Sequence, residues 1–120
     1  MIIEKLIKKI TLDFIILWNN WEIDEVMKYL KDDIVIYSPY IKMAYPENTA
    51  CRLEGKENVK QYWIYLMNNI GRMQFELESF SKVKNEVSTV NKIIGREEKM
   101  YAVFTYNEYA KISSITFEYK

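Results

Sequence analysis

The period of the hydrophobic pattern changes once along this chain, and the change falls at Gly71. Before it, apolar residues mostly recur at steps of three and four. After it, they alternate with polar ones. The first period is that of a helix presenting one face to a core, and the second is that of a half-buried strand. With most helices first and most strands last, the chain offers little for repeated strand–helix–strand units. The order predicts an α+β fold, with helices packed on one face of a curved, mixed but mainly antiparallel sheet.

Ile3, Leu6, Ile7, Ile10, Phe14, Leu17, Trp18 and Trp21 form one stripe of a long amphipathic helix. Asn19 and Asn20 break it, and a shorter helix follows with Ile23, Val26, Met27 and Leu30 on its apolar face. A strand, "DIVIYS", is closed by Pro39. Residues 40–54 keep no period and contain Pro46, which predicts a long loop, either a lid over a neighbouring site or a passive connection. Gly55 precedes a third helix, "KENVKQYWIYLMNNI", with Val59, Tyr62, Trp63, Leu66 and Ile70 at helical spacing and Gly71 placed as its C-terminal cap. "RMQFELESFSKV" then alternates Met73, Phe75 and Leu77 against Gln74, Glu76 and Glu78. "EVSTVNKII", "EEKMYAVFTYN" and "KISSITFEY" complete a run of strands rich in Val, Ile, Thr, Tyr and Phe, joined by short turns. No repeat, low-complexity tract or linker interrupts residues 1–120, so one domain is expected.

Charge and residue usage exclude several function classes. Lys and Arg number 17 and Asp and Glu number 17, so the net charge is zero and no basic stripe marks a nucleic-acid footprint. The chain contains no His, which removes the commonest general base and metal ligand. No metal-ligand spacing, Gly-rich phosphate loop or nucleotide motif occurs, so neither metal nor cofactor is expected. Cys51 is the single cysteine and has no internal disulfide partner, which suits a reducing compartment. The apolar N-terminal stretch is broken by Glu4, Lys5, Lys8, Lys9 and Asp13 and has no small-residue cleavage site. No segment reaches the roughly 20 apolar residues of a membrane span. A cytoplasmic protein without membrane contact is expected.

Ser38, at the end of the first strand and against Pro39, aims beyond the sheet edge. It either bonds local backbone in a serine turn or meets a bound ligand or water. A nucleophilic role needs a base within hydrogen-bond reach, and the sequence places none convincingly. Phe14, Trp18, Trp63, Ile115, Phe117 and Tyr119 are expected to face inward, where they either fill a core or line an apolar pocket with a few polar handles. The acidic residues Asp24, Glu25, Asp32 and Asp33 are read at helix ends, where capping and solvation explain them.

The element order and two stretches resemble the SnoaL-like branch of the nuclear transport factor 2 superfamily, which includes the ketosteroid isomerases. In "DFIILWNNWEIDEVMKYLKDDIVIYSP", Asp24, Asp32 and Asp33 fit the family's passage from helix to strand, and the strand ends before Pro39. In "LEGKENVKQYW", Gly55, Val59, Tyr62 and Trp63 fit its third helix. The resemblance spans nearly the whole chain and implies a cystatin-like cone: three N-terminal helices on a strongly curved sheet, with a pocket at the wide end. It also implies positions for the isomerase acid–base groups. Ser38 stands where the general base Asp is expected and Phe14 where an oxyanion-binding Tyr is expected. Ala102, or Phe104 one inward step on, stands at the protonated late-strand Asp, and Trp63 at a supporting pocket Tyr. None of these side chains supplies the isomerase chemistry.

The fold implied by the resemblance hosts many functions. The preferred reading is a SnoaL-like domain that binds a small apolar or aromatic molecule among Phe14, Trp18, Ser38, Trp63, Ile115 and Phe117. The alternatives are an isomerase, dehydratase or cyclase with a different catalytic set, and an interaction module with a filled cone. Tyr101, Tyr106, Tyr109 and the strand "SSITFEY" suggest polar-aromatic surface on the late strands, and a homodimer through the sheet face is expected.

Overall fold

A computed structural model describes residues 2–71 and 73–120, the side chains of Ile2 and Ile3 excepted. Met1, Arg72 and the Ile3 side chain, each part of a segment interpreted above, lie outside the described residues.

Helix α1 spans Ile2–Asn19 and buries Ile7, Ile10, Thr11, Phe14 and Ile15. Its end is a Schellman-type stop: Trp21 takes a left-handed φ of 63°, its N–H reaches the Trp18 carbonyl, and the Glu22 N–H reaches Leu17. Helix α2, Ile23–Met27, is one short turn and more. Strand β1 is Leu30–Tyr37, so Leu30 opens the strand rather than closing the helix. Asp32 and Asp33 therefore sit on β1 and not at a helix end, exposed and facing Lys56 (3.7 Å) and Lys31 (3.2 Å).

The segment 40–54 is not a loop throughout. It folds into a helical turn α3, Ile41–Ala44, and a short strand β2, Arg52–Glu54, which pairs antiparallel with β1. Tertiary contacts make this turn: Ile41 is fully buried, and the Tyr65 hydroxyl donates to the Met43 carbonyl at 3.2 Å. Helix α4, Lys56–Asn69, buries Val59, Tyr62, Trp63, Leu66 and Met67. Gly71 has a φ of 95°, the left-handed conformation expected just past the end of a helix.

Four strands follow: β3 Phe75–Val83, β4 Glu86–Ile93, β5 Lys99–Tyr106 and β6 Ile112–Tyr119. The sheet runs β2-β1-β6-β5-β4-β3, with β1 and β6 parallel and the other pairs antiparallel. Register shifts between Leu77 and Ser79, and between Thr105 and Tyr106, bend the strands and add to the sheet's curvature. The α+β arrangement and mixed sheet are those expected from the periodicity. Along β5, Met100, Ala102, Phe104 and Tyr106 are buried, while the residues between them are half-exposed. Tyr106 thus faces the interior, bonded to Thr11, and does not belong to the outer surface with Tyr101.

Candidate functional site

The inner face of the sheet, α1 and α4 enclose a small cavity. Phe14, Ile15 and Trp18 come from α1, and Tyr62, Trp63 and Leu66 from α4. Met73 and Phe75 close it from β3 and the residues before it, and Met100 and Phe104 from β5. Phe117 and Tyr119 enter from β6, and Ser38 from the end of β1. The aromatics interlock edge to face: Phe14 with Trp63 at 5.9 Å, Phe14 with Phe104 at 5.4 Å and Trp18 with Trp63 at 5.3 Å. The void left between them is about 20 Å³, room for about one water.

Of the six pocket residues expected from sequence, Phe14, Trp18, Ser38, Trp63 and Phe117 line this cavity. Ile115 is fully buried, packed in the core beside Phe104 and Ile36, and is not part of the lining. Phe104 lines the cavity, whereas Ala102, on the same inner face, does not.

One end of the cavity is polar. Ser38 is 3% exposed, and its Oγ accepts the Tyr62 hydroxyl at 3.2 Å and the Tyr40 main-chain N–H at 3.3 Å. Both the local serine turn and a non-local side-chain bond are therefore present. Tyr119 joins them, its ring 4.4 Å from that of Tyr40. Burial pushes the Tyr62 phenol well above its ordinary value, while its bond to Ser38 works in the other direction. Burial raises Tyr119 too, reinforced by the phenols of Tyr62 and Tyr40 and opposed by the Ser38 hydroxyl. At neutral pH these groups stay protonated, so they can donate hydrogen bonds but cannot abstract a proton. The described lining carries no carboxylate, thiol or amine that could serve as a base or ligate a metal.

Tyr62 was legible only as a helical core position. The usable signal was its hydroxyl: a tyrosine on a buried helix face needs a partner, and the nearest polar residue at the cavity end is Ser38.

A SnoaL-like protein of unknown function from Burkholderia thailandensis superposes with a TM-score of 0.85 at 20% identity, covering 97% of this chain and 95% of that one. The fold is the SnoaL-like, NTF2-like cone. An NTF2-like protein of unknown function from Burkholderia xenovorans matches at a TM-score of 0.78 and 14% identity, over 100% of this chain and 87% of its own. A de novo designed protein with a curved β-sheet matches at 0.72 and 18% identity, over 97% and 86%. No family sequence model matches the chain, and no functionally curated protein does. That a designed chain shares the NTF2-like cone illustrates that the fold alone assigns no activity. Among the described residues no helix is long and apolar enough to cross a membrane.

Proposed function

We propose that this SnoaL-like domain binds a compact aromatic molecule in its cone, holding a carbonyl or similar acceptor at the Ser38 end, without acid–base catalysis of the isomerase type. The observation that carries the reading is the convergence of the Ser38, Tyr62 and Tyr119 hydroxyls on one end of an otherwise apolar, aromatic chamber. Burying hydroxyls costs free energy unless they are partnered, and a core serving packing alone is better filled by apolar side chains. Ser38 Oγ accepts two hydrogen bonds and its hydroxyl also meets Tyr119, so a ligand acceptor is held by exchange within this Ser38–Tyr62–Tyr119 cluster. Entry requires expansion, since a benzene-sized ligand occupies a cavity of about 150 Å³. Trp18, half-exposed at the end of α1, is the side chain placed to swing out.

The small resting void favours a second reading: a filled cone whose outer sheet face works as an interaction surface, with a homodimer as the simplest assembly. Acetophenone and α-methylstyrene, which differ in C=O against C=CH2, separate the two. Acetophenone is expected to change tryptophan emission and to bind about tenfold tighter than α-methylstyrene, a preference lost in Ser38→Ala. No binding of either at millimolar concentration would leave the interaction-surface reading.

A further inference from the structure

Strand β4 sends Val87, Thr89, Asn91 and Ile93 to the inner face, and Thr89 and Asn91 are polar residues with 2% and 0% exposure. Neither is needed to fold a strand, and neither touches the Ser38 end. Their bonds form a directed chain. Asn91 Nδ2 donates to Thr89 Oγ1 at 3.0 Å and to the Met100 carbonyl at 3.4 Å, and the Thr89 hydroxyl donates to the Ala102 carbonyl at 3.4 Å. The Thr89 hydrogen is committed outward, so Thr89 must accept from Asn91, which fixes the amide with Nδ2 toward Thr89. Asn91 Oδ1 is left buried with no partner, the one such side-chain atom among the described residues. A buried acceptor without a donor loses its hydration with nothing in return, a penalty native structures rarely leave unexplained.

The register gives its relation to the cavity. Asn91 is paired across the sheet with Met100, and Met100 with Tyr119. Met100 and Tyr119 both line the cavity, so Asn91 lies one strand beyond its Met100 wall. That wall is a flexible thioether, the side chain most easily rearranged in a core. Three strand spacings, roughly 14 Å, separate the backbones at Asn91 on β4 and Ser38 at the end of β1, a span that one aromatic ring with a substituent at each end bridges once both side chains reach inward.

We propose that Asn91 Oδ1 is the second anchor of the cone ligand, reached when Met100 moves aside, and that it accepts a hydrogen bond from the ligand. The two ends then demand opposite chemistry: an acceptor at Ser38 and an O–H or N–H donor at Asn91. The ligand class is a single-ring aromatic carrying a carbonyl-type acceptor and, para to it, a hydroxyl or amino donor. This inference rests on the cone-binding reading and narrows it.

The test is calorimetric titration with 4-hydroxyacetophenone and 4-methylacetophenone, which differ only in the para donor. The hydroxy compound is expected to bind the wild-type protein about 10–100-fold tighter, as sites built to pair a substrate hydroxyl do. In Asn91→Leu that ratio falls to about one. Crystals of the wild-type complex, which need no folded variant, place the para oxygen within hydrogen-bond distance of Asn91 Oδ1. Binding of both compounds with equal affinity, or a para oxygen lodged elsewhere, overturns the Asn91 anchor and leaves the cone reading intact. Binding of neither, nor of acetophenone, overturns both.

Discussion

The side-chain amide of Asn19 closes a two-bond ring with the main chain of Phe75: Nδ2 donates to the carbonyl at 2.8 Å, and Oδ1 accepts the N–H at 2.9 Å. Gln74 Nε2 adds a third bond, to the Asn19 carbonyl at 2.9 Å. One asparagine thereby ends α1 and starts β3, substituting for a strand neighbour at the beginning of an edge strand. The neighbouring Trp18 ring lies 6.4 Å from Phe75, so the same clamp sets one wall of the cavity.

Replacing Asn19 with Leu keeps the volume and strips both bonds, leaving the half-buried Phe75 backbone groups unpaired. A loss of about 1–3 kcal/mol is expected. Urea unfolding reads it as a lower midpoint at unchanged slope. A midpoint equal to wild type would show that water replaces the clamp at no cost.

How legible this was differs by feature. The switch of period at Gly71 predicted the α+β order because each element presents one clean apolar face, and Gly71 itself fell where its left-handed φ is used. The α3 turn in residues 40–54 was hidden because four residues hold no period and the burial of Ile41 is decided by α4. Tyr106 was misassigned to the surface although the sequence contained the answer. It lies five residues from Tyr101, an odd step, so the two must face opposite sides of β5. Asn91 is marked in the sequence only by its place in the inward series with Val87 and Ile93, a position where a polar side chain must find partners or a ligand.

The buried phenols predict an alkaline limit to stability. Burial pushes Tyr106 up to about 12, with its bond to Thr11 working against the rise, and Tyr62 and Tyr119 are raised as well. The folded state then holds protons that the unfolded chain releases near pH 10. Stability is full below about pH 10 and falls as pH rises through the folded values, by about 1.4 kcal/mol per unit for each phenol in play. Absorbance at the phenolate band should show these tyrosines ionising only together with loss of near-ultraviolet circular dichroism. Their ionisation in a chain that stays folded would contradict the burial.

Ser38 and Tyr62 should be energetically coupled. Ser38→Ala leaves the Tyr62 hydroxyl without its acceptor, and Tyr62→Phe removes one of the two tyrosine hydroxyls that meet Ser38. Each single variant is expected to cost about 1–2 kcal/mol, and the double variant less than their sum by roughly 1 kcal/mol. Additive losses in a double-mutant cycle would mean that the 3.2 Å contact stabilises nothing.

Trp63 is the centre of the aromatic cluster, 2% exposed and edge to face with both Phe14 and Trp18. Trp63→Ala removes an indole from a region whose neighbours come from three elements and cannot all collapse into the gap. The expected loss is about 3–5 kcal/mol, the range for a large aromatic truncated in a core. Such a gap is apolar and the shape of the group removed, so added indole should bind it and raise the melting temperature of the variant. At a hundredfold excess over its dissociation constant the recovery is about 2.7 kcal/mol. Wild-type protein, whose cavity is about 20 Å³, should respond far less at the same concentration. Equal shifts in the two proteins would place the indole outside the cone, and a variant that stays folded yet gains nothing from indole would mean that α4 closes onto the sheet when its own indole is gone.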